Sequence, residues 1–141
     1  MALRPGFDIE RFNRFGKDYL PGLVGLALTE VSEGLVKGEV ALRKVLLAPN
    51  GYLHAGTIVT FADTLSGYGC IAHLPGNAEN FTTVELKANF LNTAREGVLY
   101  GEARAVHLGR TTQVWDAVVT HGEDRRRLAL FRCTQLVIYP K

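Results

Sequence analysis

The stretch NGYLHAGTIVTFADTLSGYGC, from Asn50 to Cys70, decides how the rest of the chain must fold. It opens as a loop and continues as a long apolar helix, expected over residues 57–73. Between Thr57 and Ala72 there is no Lys, Arg or Glu, and the single charge is Asp63. At roughly 100° per residue, Ile58, Phe61, Ala62, Leu65, Tyr68, Gly69 and Ala72 gather on one face, suited to packing on a sheet. Asp63 falls nearly opposite, with Val59, Ser66, Gly67 and Cys70. A solvent-facing side would carry Lys, Glu or Arg, and this one is small and apolar. A helix that is apolar nearly all round must be covered nearly all round. A second surface is therefore expected over this face, most simply a second copy of the chain.

Outward from the helix, the pattern changes period. Asp8 followed by IERFNRFG predicts a short N-terminal helix over 8–16, with Asp8 as N-cap, Ile9, Phe12 and Phe15 as its apolar side and Gly16 as its stop. Pro21-Gly22 reads as a break. Residues 23–31 and 35–43 read as strands around the turn Ser32-Glu33-Gly34. Four strand-like segments follow the helix. In TTVELKANFL, residues 82–91, every second residue is apolar: Val84, Leu86, Ala88 and Phe90. Segments 98–107, 111–121 and 127–139 are separated by short polar turns, which argues for an antiparallel meander rather than βαβ units. One long helix against about six strands gives an α+β fold in which a curved antiparallel sheet wraps a central helix, the hotdog arrangement. With 141 residues and no linker or repeat, a single domain over 1–141 is expected.

Composition narrows the function. A net charge of +2 gives no large basic field, so nucleic acid is not an expected partner. The run Arg125-Arg126-Arg127 sits beside Glu123 and Asp124 and reads as a solvated turn. Cys70 and Cys133 form no CxxC and read as buried thiols, consistent with a reducing compartment. No apolar run approaches the ~20 residues needed to span a bilayer, and the first residues lack the apolar core of a secretory signal. The expectation is a cytoplasmic protein without a membrane partner. His73, His107 and His121 have no metal-ligand spacing among themselves or with the cysteines, so no metal site is expected. There is no GxSxG elbow, GxGxxG or P-loop.

Asp63 is the residue to explain. Burying an unpaired carboxylate costs several kcal/mol, and desolvation raises its pKa toward the range of a general base. The spacing leaves open a base, a carboxylate nucleophile or a hydrogen-bonded Asp in a polar interface pocket. Upstream, His54-Ala55-Gly56 lead into the helix, so their backbone N–H groups have no helical partner. With the helix dipole they can stabilise an oxyanion, and a carbonyl held there is expected to meet Asp63 farther along.

These residues carry a resemblance. LHAGTIVTFAD resembles the LHGG…A(D/E) signature of hotdog-fold acyl-CoA thioesterases, in the group with the phenylacetate-pathway and hydroxybenzoyl-CoA enzymes. It continues through TTVELKANFL, VHLGRTTQVWDAVV (106–119) and ALFRCTQLVIY, covering roughly residues 20–139. The resemblance implies that Asp63 is the catalytic carboxylate and that the Ala55 N–H polarises the thioester carbonyl. Ala55 replaces the first Gly of the signature, keeping the N–H and adding a methyl. His54 matches the motif histidine, which supports the thioester or the loop. The loop amide of the family falls at Ala48, which cannot supply it, so Asn50 is the candidate substitute. Thr83 matches a polar residue that helps hold water. Gly109 and Arg110, in HLGR, match the region that contacts the coenzyme A nucleotide. The implied substrate is an aryl- or medium-chain acyl-CoA, with no cofactor beyond its coenzyme A, and the implied assembly is a homodimer forming a homotetramer. A hotdog dehydratase requires a different His-containing loop with Pro-Gly near the helix. A non-catalytic acyl-CoA binding module stays open because of Ala48 and Ala55.

Overall fold

The computed structural model describes residues 2–141. Helices α1 (Ile9–Phe15) and α2 (Leu20–Val24) lead into strands β1 (Ala27–Ser32) and β2 (Leu35–Ala41). A single 3-10 turn, Lys44–Leu46, precedes the central helix α3 (Ala55–Ala72). Strands β3 (Asn80–Phe90), β4 (Val98–Leu108), β5 (Thr112–His121) and β6 (Arg126–Ile138) follow. All six strands form one antiparallel sheet in the order β1-β2-β4-β5-β6-β3. Helix α3 lies across its inner face and packs on β2, β3, β4, β5 and β6. This is the expected hotdog arrangement.

The core is the face of α3 read from the wheel. Ile58, Phe61, Ala62, Leu65 and Ala72 are buried against Val36, Val40, Leu99, Ala103, Trp115, Val119 and Phe131. Gly69 is needed where the helix crosses Trp115, because a Cβ there would stand 2.6 Å from the indole ring. The α1 expectation holds in outline: the Asp8 carboxylate accepts the Arg11 N–H at 2.9 Å, and Phe12 is buried and stacked on Tyr68 at 4.6 Å. Phe15 departs from it and stays exposed.

Three of these expectations change in the structure. Helix α3 starts at Ala55 and ends at Ala72, two residues before and one before the expected bounds. Residues 23–26 are not strand. Pro21 sits in the first turn of α2, where its missing N–H costs nothing, and Gly25 ends the helix in the left-handed region at φ 77°. In β3 the alternating apolar set is buried only in part, with Ala88 packed on the core. Leu86 and Phe90 lie opposite the inward-facing Cys133 and Ala129, yet they are 40% and 47% exposed. Their strand is the sheet edge, and Val84 is 54% exposed at a bulge. Finally, the chain itself covers part of the second face of α3. Ser66, Gly67 and Cys70 are fully covered, with Phe81 against Gly67 and with Val137, Leu74 and Ala78 clustered around Cys70. A Cβ on Gly67 would come within 2.9 Å of the Phe81 ring. Only the N-terminal half of that face, at Val59 and Asp63, is partly open.

Candidate active site

Asp63 stands at the edge of the covered part of α3, half-buried. Its carboxylate makes no ion pair among the described residues. Its partner is the Thr83 hydroxyl on β3, which donates to Oδ1 at 3.0 Å. Burial raises the Asp63 carboxyl above the usual carboxylate range, and the Thr83 hydrogen bond opposes that rise. The position of Thr83 follows from its strand. Thr83 pairs with Gln135 of β6, and the β3 ladder shifts register immediately afterwards, between Thr83 and Glu85. Bulges of this kind re-aim side chains beside functional sites. The same hydroxyl lies 2.8 Å from Gln135 Oε1. Gln135 is fully buried and was not among the residues expected from sequence. Its signal was legible in principle: it is a polar residue in the inward alternation Ala129, Phe131, Cys133, Gln135, Val137.

The start of α3 forms a second cluster. His54 is the N-cap, and its Nδ1 accepts the Gly56 N–H at 2.7 Å. That bond leaves the Ala55 N–H as the free donor of the helix end, since it has no acceptor among the described residues. The loop before it is held by His54 N–H to the Leu46 carbonyl at 3.2 Å and by Thr57 Oγ1 to the same carbonyl at 2.8 Å. Asn50 accepts the Tyr52 N–H through Oδ1 at 3.1 Å, which makes an Asx turn. Ala48 takes part only through its backbone, donating to the Tyr52 carbonyl at 2.7 Å. Beside the helix start lies a groove of about 490 Å³ lined by Leu20, Leu23, Val45, His54, Gly56 and Thr60. Its apolar wall comes from Leu20 and Leu23 of α2, a helix the sequence did not suggest, and from Val45 of the Lys44–Leu46 turn.

The two clusters do not meet within one chain. At roughly 1.5 Å rise per residue, Ala55 and Asp63 are about 12 Å apart along α3. A carbonyl held at the Ala55 N–H is out of reach of the Asp63 carboxylate of the same chain. Gly109 and Arg110 form the tight turn between β4 and β5, with Gly109 N–H donating to the Thr112 carbonyl at 2.9 Å. The Arg110 carbonyl accepts the Tyr139 hydroxyl at 2.5 Å, while its guanidinium is exposed and has no partner among the described residues. A cavity of about 680 Å³ lies on the outer face of the sheet between Lys37, Tyr100, Glu102 and Arg127, and contains none of these groups. Among the described residues no His, Cys, Asp and Glu cluster could hold a metal ion, and no helix is long and apolar enough to cross a membrane.

Residues 50–127 match the thioesterase superfamily. The chain is similar to the 1,4-dihydroxy-2-naphthoyl-CoA hydrolase of Listeria monocytogenes, at 29% identity over 79% of this chain and 89% of that one. Its fold superposes on a thioesterase of Pseudomonas aeruginosa with a TM-score of 0.92, at 28% identity over 99% of this chain and all of the other. The PaaI protein of the Escherichia coli phenylacetic acid degradation operon shares the fold at 19% identity and a TM-score of 0.79, covering 92% and 93% of the two chains. The chain belongs to the thioesterase superfamily, and it is a thioester hydrolase of the hotdog fold.

Proposed function

We propose that the chain hydrolyses an aryl- or medium-chain acyl-CoA to the free acid and coenzyme A, at a site made between two copies. The carrying observation is the split of the site along one helix. The free Ala55 N–H and the half-buried Asp63 carboxylate lie about 12 Å apart on α3, too far to serve one carbonyl unless a second α3 runs antiparallel beside the first. In such a dimer, Ala55 of one copy faces Asp63 of the other. The exposed edge of β3, with Leu86 and Phe90 turned inward but uncovered, supports the same assembly. A homotetramer of such dimers is part of the proposal.

In this reading the Ala55 N–H and the dipole of α3 take the charge that develops on the thioester oxygen. Asp63 takes the proton of an attacking water held beside Thr83, or attacks the carbonyl directly. The carbon–sulfur bond then breaks and the coenzyme A thiolate leaves, giving the free acid in the first route and, in the second, a mixed anhydride that water hydrolyses to restore the Asp63 carboxylate. His54 supports the site by capping the helix, which frees Ala55 for the substrate. The groove lined by Leu20, Leu23 and Val45 offers an apolar wall for the acyl or pantetheine chain. Gly109 and Arg110 place a free guanidinium for the nucleotide phosphates, and Asn50 retains an amide nitrogen for the loop role that Ala48 lacks. Release of free thiol from a panel of aryl-, medium-chain and short-chain acyl-CoAs tests the proposal. Turnover of one class with saturation supports it. Saturable binding without turnover, or hydration of an enoyl-CoA instead, refutes it.

A further inference from the structure

Two glutamines stand side by side on the inner face of the sheet, and they are held in different ways. Gln113, Gln135 and Thr83 are neighbours across β5, β6 and β3, and both glutamines are fully buried. Gln113 has one possible orientation. Its Oε1 accepts the Trp115 indole N–H at 2.9 Å, which can only donate, and its Nε2 donates to the His73 carbonyl at 3.0 Å, which can only accept. Gln135 lies between two groups that each donate and accept: the Thr83 hydroxyl at 2.8 Å from Oε1 and the Cys133 thiol at 3.4 Å from Nε2. Either orientation of its amide is hydrogen-bonded.

The Thr83 hydroxyl has one proton and two oxygens within reach, Asp63 Oδ1 at 3.0 Å and Gln135 Oε1 at 2.8 Å. Both cannot receive it. When Asp63 is ionised, the proton points to the carboxylate, and Gln135 Oε1 would face only lone pairs. Turning the amide over removes the conflict: Nε2 donates to Thr83 Oγ1, and Oε1 accepts the Cys133 S–H. When Asp63 is protonated, the chain runs the other way. The carboxyl O–H donates to Thr83 Oγ1, Thr83 donates to Gln135 Oε1, and Nε2 donates to Cys133 Sγ. The structure holds the Gln135 amide as in this second state, Oε1 toward Thr83 and Nε2 toward Cys133, with both Asp63 Oδ1 and Gln135 Oε1 within reach of the single Thr83 proton.

We propose that Gln135 is a positioning residue whose carboxamide turns over as Asp63 gains and loses a proton, so that the buried chain stays fully hydrogen-bonded in both states. A general base changes protonation twice in each turnover, and a network matched to one state alone would hold it there. The inference rests on Asp63 acting as the proton acceptor. The titratable groups around it fit. Among the described residues Asp63 has no charged partner, and the two thiols behind it, Cys133 on β6 and Cys70 on α3, are both pushed up to about 12 by burial, so each keeps its proton. Cys133 thus keeps a proton that it can donate to Oε1 in one state and a sulfur that accepts from Nε2 in the other, with Ser66 also beside it.

The test is a pH titration of the unmodified protein followed by NMR, reading the Gln135 side-chain amide and the Asp63 carboxyl carbon. The amide signals are expected to move with the midpoint of the Asp63 carboxyl and to lose that dependence in Asp63→Asn. Gln135 signals that stay constant while Asp63 titrates overturn the proposal, as does a dependence that survives Asp63→Asn. In kinetics, Gln135→Met is expected to lower kcat about tenfold at unchanged KM, and an unchanged kcat counts against it. If that variant does not fold, the titration still decides. A silent Gln135 in an enzyme that needs Asp63 overturns the relay alone. Hydrolysis that survives Asp63→Asn overturns the reading of the site instead.

Discussion

Replacing Thr83 by Val keeps the shape of the side chain and deletes the one side-chain hydrogen bond that Asp63 makes among the described residues. That bond favours the ionised carboxylate against the effect of burial. Hydrogen bonds to charged groups contribute about 1.5–3 kcal/mol. Asp63 is only partly buried, so solvent compensates for some of the loss, and the lower end, about 1.5 kcal/mol, is the appropriate figure. That corresponds to a shift of roughly one pH unit. The acid limb of kcat/KM against pH should therefore move upward by about one unit in Thr83→Val, with activity recovered in large part on the alkaline side. Initial rates of thiol release between pH 5 and 9 give both limbs. A limb that stays in place, or that moves to lower pH, refutes the claim that Thr83 holds Asp63 in its charged form. A uniform loss at every pH would place Thr83 in water or substrate binding rather than in the tuning of Asp63.

Three further outcomes are expected. Gly69→Ala drives a methyl into the Trp115 ring and should cost about 1–3 kcal/mol in urea unfolding, whereas an unchanged midpoint would show that the helix shifts freely over the sheet. Burial lowers the His73 ring below the ordinary imidazole range, against the hydrogen bond from Nδ1 to the Gly69 carbonyl. The unfolded chain takes up this proton below about pH 6.5 while the folded chain resists it. The stability due to His73 is thus complete above that pH and is lost as pH falls toward the folded value; unfolding free energies at pH 8 and 5.5 check this, and an equal stability contradicts it. For Asp63 the sign is opposite, because its folded pKa is raised: its contribution is complete below the ordinary carboxylate pKa and is lost as pH rises. Asp63→Asn should therefore melt at a higher temperature than the unmodified chain at pH 8, and a lower melting temperature would contradict the assigned desolvation.

Much of the fold was readable because it depends on local period. The stripe Ile58, Phe61, Leu65, Tyr68 and the alternation in residues 98–107 and 111–121 mark one helix and its sheet without knowledge of contacts. The misreadings share a cause in what lies opposite. Leu86 and Phe90 alternate as core residues do, and they do face inward, but the described residues cover them only in part at the outer edge of β3. Ser66, Gly67 and Cys70 are small and apolar because Phe81 and Val137 close over them, from segments far along the chain. Pro21-Gly22 carries both a stop and a start signal, and the start prevailed because proline fits the first turn of a helix. At the site, Asp63 was legible as the single charge in an apolar helix. Its contact with Thr83 was not, since it depends on the register of β3 against β6 and on the bulge that follows. The separation of Ala55 from Asp63 was present in the sequence as eight residues of helix; its meaning needed the rise per residue rather than the count of turns.

The central claim is that Asp63 supplies the base or nucleophile for thioester hydrolysis. The most direct measurement is steady-state turnover of the best acyl-CoA by Asp63→Asn beside the unmodified enzyme, with coenzyme A binding to both followed by calorimetry. The expected result is a kcat lower by roughly 10²–10⁴-fold with the affinity for coenzyme A unchanged. Turnover that persists at the unmodified rate would contradict the account.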